Sequence, residues 1–286
     1  MARFFVGGYL RTGTTLLQSI LCNSPDCNPM IGEAVFLRGI VEAYRRSLQM
    51  FDLHAKYYFD DEEQLRRLCA GYTEDFLAAT EKRFASPKHL VLKHPQLTPH
   101  FPWLHRLTPD SRFIVIVRDP RDTVASAVSA MKKGAAEFGT LDIAGLATDM
   151  LLHYTACFGC RLESFHRQTL YVTYEGLVQD PGPVVSALQK FTGIDLSGFT
   201  PDMGGTRSEV DFDSADEKER ALHSEHYGQA VSDARVGRFA DVLSDDDVRT
   251  VERICKPVVN VYREGASVFS TEFRNNRCTV KPFRLP

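Results

Sequence analysis

The sequence predicts an α/β fold of three layers, in which a central parallel sheet is flanked by helices. Short runs of β-branched and aromatic residues alternate with helical stretches along the chain, a pattern typical of parallel strands joined by crossover helices. The runs are almost continuously apolar, as expected for strands that are covered on both faces. A glycine-rich turn follows the first run and precedes the first helical stretch.

The elements follow in order along the chain. Strands are predicted at 3–8, 89–94, 112–117 and 169–174, and helices at 13–22, about 33–50, 61–84, 122–132, 142–167, 181–192 and 245–263. From about 200 to 240 the apolar periodicity is lost, which predicts a long loop or lid over the sheet. The basic, proline-broken tail is expected to pack as an extended strap. Because no repeat or linker divides the chain, we expect residues 1–286 to form one domain.

Composition and charge exclude several classes of function. The net charge of −3 gives no global attraction for nucleic acid, so any anion site must be local. No apolar run approaches the roughly 20 residues that span a bilayer. The chain enters a core-like strand by Phe4 without a targeting signal, and we therefore expect a cytoplasmic protein with no membrane partner. Cys157 and Cys160 form a CxxC within a helical pattern and are expected to be reduced thiols in the core.

The segment FFVGGYLRTGTTLLQSIL, residues 4–21, has the spacing of a phosphate-binding loop. An apolar strand ends at a pair of glycines, and a helix begins near Gly13. The backbone N–H groups of a first helical turn point to one place, and the helix dipole favours an anion there. The sequence therefore predicts a P-loop-type fold with its phosphate site at this turn.

The side chains of this loop argue against a nucleoside triphosphate as the ligand. Thr14 stands where a triphosphatase carries the lysine that reaches the β- and γ-phosphates. Arg11 supplies a positive charge from within the loop, and the hydroxyl groups of Thr14 and Thr15 can add donors. We expect the loop to hold a phosphate group of a different kind of ligand.

A second candidate phosphate site lies in RFIVIVRDPRDTVASAV, residues 112–128. Arg118 follows a buried strand, at the sheet edge where open α/β folds bind ligands. Ser126 comes eight residues later, about two turns into the next helix. The guanidinium and the hydroxyl could grip one phosphate, the former in bidentate fashion. An ion-pair network of Arg118 with Asp119 is the structural alternative.

Together the two segments resemble the 5′-phosphosulfate loop and the 3′-phosphate motif of sulfotransferases that use 3′-phosphoadenosine-5′-phosphosulfate (PAPS). The first is most similar to tyrosylprotein sulfotransferases and many bacterial members, with Thr12 in place of the usual serine. The resemblance implies PAPS as donor, 3′-phosphoadenosine-5′-phosphate (PAP) as product and no required metal. It places the phosphosulfate on Arg11, Thr12, Gly13, Thr14 and Thr15. Arg118 and Ser126 are then expected to hold the 3′-phosphate.

Two later segments extend the resemblance. Tyr174 begins a stretch similar to the one from which a family tyrosine contacts the nucleotide. The stretch ARVGRFADVLS, residues 234–244, resembles a bacterial form of the late loop that closes over the 3′-phosphate. The match rests on Val236, Gly237 and Arg238. Phe239 stands for the usual tryptophan and Ala240 for a second arginine.

Sulfuryl transfer needs cations for the charge that develops in the transition state, and a base for the acceptor hydroxyl. The resemblance implies that Lys93, which ends the strand HLVLK, stabilises the transition state, with Arg11 as a further cation. Ser232, which precedes the late loop, is an additional candidate for contacting the sulfuryl oxygens.

Two residues compete as the base. Glu33 follows the first helix near the position of the catalytic glutamate in tyrosylprotein, glycan and many bacterial sulfotransferases. His94 is the rival, because cytosolic sulfotransferases use the histidine of a Lys-Thr-His-Leu-Pro element. Neighbouring side chains of a strand point to opposite faces. Lys93 and His94 therefore cannot both reach one sulfuryl group unless the strand ends there, and we favour Glu33.

The acceptor is predicted to be a small molecule with a hydroxyl group, such as a metabolite or natural product. The absence of a predicted signal peptide or anchor favours such an acceptor over Golgi-type sulfation. Sulfation of a peptide tyrosine or a glycan is one alternative, because the motifs resemble those of enzymes with that activity. A P-loop kinase-like nucleotide-binding protein is another, with Asp119 as the nearest candidate for an Mg²⁺ ligand.

Overall fold

A six-stranded sheet forms the centre of the structure, in the order β2-β1-β3-β4-β5-β6. The structure, a computed structural model, describes residues 1–134, 139, 142–201, 207–209, 231–264, 267–275 and 277–282. The strands are β1 (Ala2–Gly8), β2 (His89–Lys93), β3 (Arg112–Val117), β4 (Thr169–Thr173), β5 (Val268–Arg274) and β6 (Arg277–Pro282). The first four are parallel and the last two are antiparallel. The predicted α/β fold and its four strands are confirmed.

Helices surround this sheet. They are α1 (Thr14–Cys22), α2 (Val35–Gln49), α3 (Glu62–Arg83), α4 (Phe101–Leu107), α5 (Pro120–Lys132), α6 (Ile143–Phe158), α7 (Glu163–Arg167), α8 (Tyr174–Gln179) and α9 (Pro181–Thr192), followed by Asp245–Ile254 and Lys256–Glu264. Short 3₁₀ turns lie at Ala55–Tyr57, Pro95–His100 and Arg238–Asp241. Within the described ranges, no helix is both long and apolar enough to cross a membrane.

Two of the predicted helices are in fact pairs of helices. The stretch predicted at 142–167 ends its first helix at Gly159, a weak helix former, and resumes in α7. The stretch predicted at 245–263 is interrupted at Cys255, because Pro257 lacks an N–H and fits only the first turn of a new helix. The described part of the tail is also not a strap, since it forms β6, which pairs with β5.

Alternating residues of each strand build two cores, one on each face of the sheet. In β1, Phe4 and Val6 face the side of α1, α8 and α9, whereas Phe5 faces the side of α2 to α6. In β3, Ile114 and Ile116 face the first of these sides. This double burial is the physical reason for the almost continuous apolar runs.

Parallel pairing brings the carboxyl ends of the strands to one edge of the sheet. Val6 of β1 lies beside Lys93 of β2, and Gly8 lies beside Ile116 of β3. The segments that follow β1, β2 and β3 therefore meet at this edge, where the sequence motifs were found.

The predicted lid at about 200–240 lies largely outside the described residues. Its described part includes 207–209, which is fixed to the turn after α1. The Met30 N–H donates to the Arg207 carbonyl at 2.7 Å, and the Arg207 guanidinium donates to the Cys27 carbonyl at 3.2 Å. From Val231 onward the chain is described again and continues into the late loop.

Candidate active site

The turn between β1 and α1 has the backbone of a phosphate loop. Gly8, Arg11 and Gly13 have φ angles of 152°, 67° and 95°, in the region that side chains disfavour. A Cβ atom on Gly13 would lie 2.7 Å from the ring of Tyr174, and one on Gly8 would lie 2.7 Å from the Ile116 carbonyl oxygen. Both positions therefore require glycine. Gly13 caps α1 without a side-chain hydrogen bond, so the first amides of the helix are available to a ligand.

Buried hydroxyl groups from outside the motif hold the loop in shape. Thr98 Oγ1 accepts a hydrogen bond from the Gly8 N–H at 2.8 Å and donates to the Gly8 carbonyl at 3.0 Å. The Tyr154 hydroxyl accepts from the Tyr9 N–H at 3.0 Å and donates to the Ile116 carbonyl at 2.9 Å. Sequence reasoning missed Thr98 and Tyr154, because nothing near them in the chain marks their link to the loop.

The three threonines of the loop have different surroundings. Thr12 is fully buried, and its hydroxyl donates to the Tyr9 carbonyl at 2.6 Å. Thr14 is buried and Thr15 is half-buried in the first turn of α1. The hydroxyl proton of Thr12 thus stabilises the loop itself, which leaves Thr14 and Thr15 as the hydroxyl donors beside the helix amides.

Glu33 meets both Lys93 and His94 at the end of β2. Glu33 Oε1 lies 2.8 Å from Lys93 Nζ, and Glu33 Oε2 lies 2.7 Å from His94 Nδ1. The strand ends at Lys93, and His94 begins the turn into Pro95–His100, so the two neighbouring side chains do reach one group. The structure thus joins the two candidate bases in one hydrogen-bonded unit.

The charges of this unit keep Glu33 ionised. Burial opposes ionisation of the carboxyl, but the hydrogen bond from His94 and the charge of Lys93 outweigh it and lower the pKa of Glu33 to about 2. Because a carboxylate only accepts, His94 donates to Glu33 from Nδ1, and its second ring nitrogen is Nε2. That Nε2 is buried and has no hydrogen-bond partner among the described residues.

Arg118 connects three parts of the candidate donor site. Its guanidinium donates to the Arg11 carbonyl at 3.0 Å and to the Arg235 carbonyl at 2.7 Å, and it lies 4.4 Å from the centre of the Tyr174 ring. Burial raises the pKa of Tyr174 although the charge of Arg118 opposes this. Asp119, the alternative partner, forms its ion pair with Arg121 at 2.6 Å.

The remaining predicted residues lie on α5 and in the late loop. Ser126 is half-buried in the second turn of α5. Val236 packs against the core on the α1 side, and Gly237 has a φ of 76°. Arg238 is exposed and pairs with Asp241 at 2.6 Å.

Ser232 is exposed and accepts a hydrogen bond from the Ala234 N–H at 3.2 Å. Asp122, which sequence reasoning also missed, accepts from the amides of Gly237 and Phe239. Its only signal in the sequence is its position within Arg-Asp-Pro-Arg-Asp.

The CxxC pair lies in the core at the end of α6. Burial raises the pKa of both Cys157 and Cys160, and the Cys157 thiol donates to the Thr98 carbonyl at 3.3 Å. Within the part of the chain that the structure describes, no three His, Cys, Asp or Glu side chains are grouped as a metal site.

Known proteins share part of this sequence. The chain is 28% identical over 206 residues to protein-tyrosine sulfotransferase 2 of Gallus gallus, and the matched region covers 69% of this chain and 52% of that protein. It is 29% identical over 140 residues to protein-tyrosine sulfotransferase 1 of Homo sapiens, which covers 45% of this chain and 34% of that protein. The matches thus span about half or less of these relatives.

Solved structures share the fold at low sequence identity. The sulfotransferase domain from the curacin biosynthetic pathway superposes with a TM-score of 0.57 and 15% identity, over 88% of this chain and 97% of that one. The sulfotransferase domain from the Synechococcus PCC 7002 olefin synthase gives a TM-score of 0.53 and 16% identity, over 88% and 94%. A sequence model described as the sulfotransferase family matches residues 3–198. This match includes the phosphate loop, Lys93 and Arg118, and the chain belongs to the sulfotransferase family.

Proposed function

We propose that this protein transfers a sulfuryl group from PAPS to a hydroxyl group of a small-molecule acceptor. The observation that carries the proposal is the meeting of Lys93, Glu33 and His94 at the end of β2, beside a phosphate loop that lacks the triphosphatase lysine. A cation and a carboxylate thus lie at the carboxyl end of a strand, the edge where open α/β sheets bind ligands, which supports the proposal.

The residues at this edge fit the donor. PAPS supplies an activated sulfuryl group on a 5′-phosphate and carries a second phosphate at the 3′ position. The amides at the start of α1, with Arg11, Thr14 and Thr15, suit the 5′ end. The Nε atom of Arg118 is buried and has no hydrogen-bond partner among the described residues. Arg118 thus retains a donor for the 3′-phosphate.

The remaining groups of the donor site are assigned by their place around Arg118. Ser126 and Arg238 are its proposed companions at the 3′-phosphate, on α5 and in the late loop. Tyr174 packs between Gly13 and Arg118 and is proposed to contact the nucleotide, together with Val236 and Gly237.

The catalytic roles follow from charge and exposure. Lys93 Nζ supplies a positive charge for the negative charge that develops on the leaving oxygen. Glu33 is the more exposed member of the unit, with 37% of its side chain accessible against 3% for His94, and it accepts the hydroxyl proton. As Lys93 turns from Glu33 toward the leaving oxygen, the pKa of Glu33 rises and its basicity increases. His94 Nε2 is the alternative proton acceptor.

A small-molecule acceptor is supported by the fold shared with a domain of the curacin biosynthetic pathway. A peptide tyrosine is the second candidate, because the curated relatives named above are protein-tyrosine sulfotransferases. A panel of phenols, alcohols and tyrosine peptides, assayed for sulfated product by mass spectrometry, distinguishes these acceptors. The cytoplasmic location and the single-domain organisation stay predictions.

Calorimetric titration tests the donor directly. We expect PAP to bind in the micromolar range without added Mg²⁺, with large losses for ATP, for the 3′-dephosphorylated analogue and in Arg118→Ala. Glu163→Gln changes a side chain of α7 that is 77% exposed and lies outside the motif segments; it is the control and should leave the affinity unchanged. Equal or tighter binding of Mg·ATP would overturn the sulfotransferase proposal and favour a kinase-like nucleotide site.

A further inference from the structure

Asp122 is a buried carboxylate whose two oxygens both bind the late loop. It is 2% exposed and lies in the first turn of α5. Oδ2 accepts from the Gly237 N–H at 2.7 Å, and Oδ1 accepts from the Phe239 N–H at 2.9 Å. A carboxylate is costly to bury unless its oxygens are hydrogen-bonded. The two charge-assisted bonds meet that requirement across more than a hundred residues of chain.

Neighbours of Asp122 hold the same loop by two other contacts. Arg118 donates to the Arg235 carbonyl at 2.7 Å. The Arg121 guanidinium lies 4.3 Å from the centre of the Phe239 ring, and its Nη1 is 3.1 Å from Glu252. Arg118, Arg121 and Asp122 therefore hold residues 235–239 against the start of α5.

The place of a carboxylate beside a phosphate site needs an explanation. An anionic side chain that faced the 3′-phosphate would repel it. Both oxygens of Asp122 instead accept from loop amides. The carboxylate therefore does not contact the nucleotide itself. Its effect on a nucleotide must therefore pass through the loop that it holds.

Building on the donor proposed above, we propose that Asp122 is a positioning residue for the 3′-phosphate. It fixes residues 235–239 against α5, and it thereby sets the place of Arg238 and of the carbonyl that orients Arg118. Selectivity for a 3′-phosphorylated nucleotide then depends on a residue that does not touch the nucleotide.

Asp122→Asn tests this role with little change in shape. An asparagine side chain offers one acceptor oxygen instead of two, and its NH₂ group faces an amide that also donates. We expect the affinity for PAP to fall about tenfold, in line with the loss of one hydrogen bond to a charged group. The affinity for adenosine 5′-monophosphate should fall clearly less than that for PAP, because this nucleotide lacks the 3′-phosphate that Arg118 and Arg238 are proposed to hold.

A second readout does not depend on nucleotide. Trypsin cleaves after arginine, and Arg235 and Arg238 lie within the fastened loop. Cleavage after these two residues, followed by mass spectrometry, should be faster in Asp122→Asn than in the unaltered protein. Asp246→Asn is the matched control, because Asp246 is 90% exposed and bonds to Arg249, away from the loop.

Phe239→Ala removes the ring that Arg121 contacts, and so loosens the loop from its own side. This variant remains informative if Asp122→Asn does not fold. It should also weaken PAP selectively. Equal weakening of both nucleotides, or unchanged PAP affinity and cleavage in folded variants, would overturn the positioning role while leaving the donor intact. No preference for PAP over adenosine 5′-monophosphate in the unaltered protein would overturn the proposed donor and this role with it.

Discussion

Replacing Glu33 with glutamine leaves the Lys93 ammonium without the carboxylate that it contacts at 2.8 Å. At an effective dielectric constant of about 20, two charges at this distance attract by about 6 kcal/mol. The desolvation of Lys93, which is 8% exposed, and the solvent around Glu33, which is 37% exposed, offset most of this attraction. We expect a net coupling of about 1–2 kcal/mol between the two side chains.

A double-mutant cycle measures this coupling. The free energy of unfolding in urea is determined for the unaltered protein, Glu33→Gln, Lys93→Met and the double variant. The double variant should be less destabilised than the sum of the single changes. The Lys88–Asp26 pair, which is 65% and 38% exposed at 3.0 Å, is the control and should show less than about 1 kcal/mol. Additive changes at Lys93 and Glu33 would refute the inference that the lysine charge holds the carboxylate.

Two further predictions concern the loop and the carboxylate. Gly13→Ala should weaken PAP binding in calorimetry by more than about tenfold, because its Cβ would lie 2.7 Å from Tyr174. Gly193→Ala, which has a similar positive φ of 73° and open space around its Cβ, should leave binding unchanged. The pKa of Glu33 is lowered to about 2 in the fold from an ordinary value of 4.5, so its contribution to stability is present above pH 4.5 and is lost toward pH 2. Urea unfolding of Glu33→Gln should therefore depend less on pH in this window, and equal slopes would contradict the assignment.

The sheet and the motifs could be predicted because their signals are local in the sequence. β1 and β3 are buried on both faces, so nearly every residue in them is apolar. The length of each apolar run therefore predicts where the strand begins and ends. The glycine requirement at Gly8 and Gly13 is likewise a property of the turn itself. Arg118 became a candidate because it directly follows such a strand.

Other parts of the site depend on tertiary contacts that no local pattern reports. Thr98 and Tyr154 hold the loop from 90 and 145 residues away in the chain. Thr98 lies outside every predicted element, and Tyr154 lies within a predicted helix like its neighbours. The hairpin of β5 and β6 was missed for a similar reason. Its charged and polar residues, at the edge of the sheet, do not form the apolar run that marks a central strand.

The contact between Glu33 and His94 means that single substitutions cannot show which of them is the base. Each single substitution alters the other residue: Glu33→Gln removes the anion that fixes the His94 tautomer, and His94→Ala removes a bond that lowers the pKa of Glu33. Loss of activity in either variant therefore does not assign the base. The exposures are unequal, however, since an acceptor hydroxyl can reach the more open Glu33, whereas His94 is 97% covered. This asymmetry favours Glu33 as the group that takes the proton and His94 as the group that orients it.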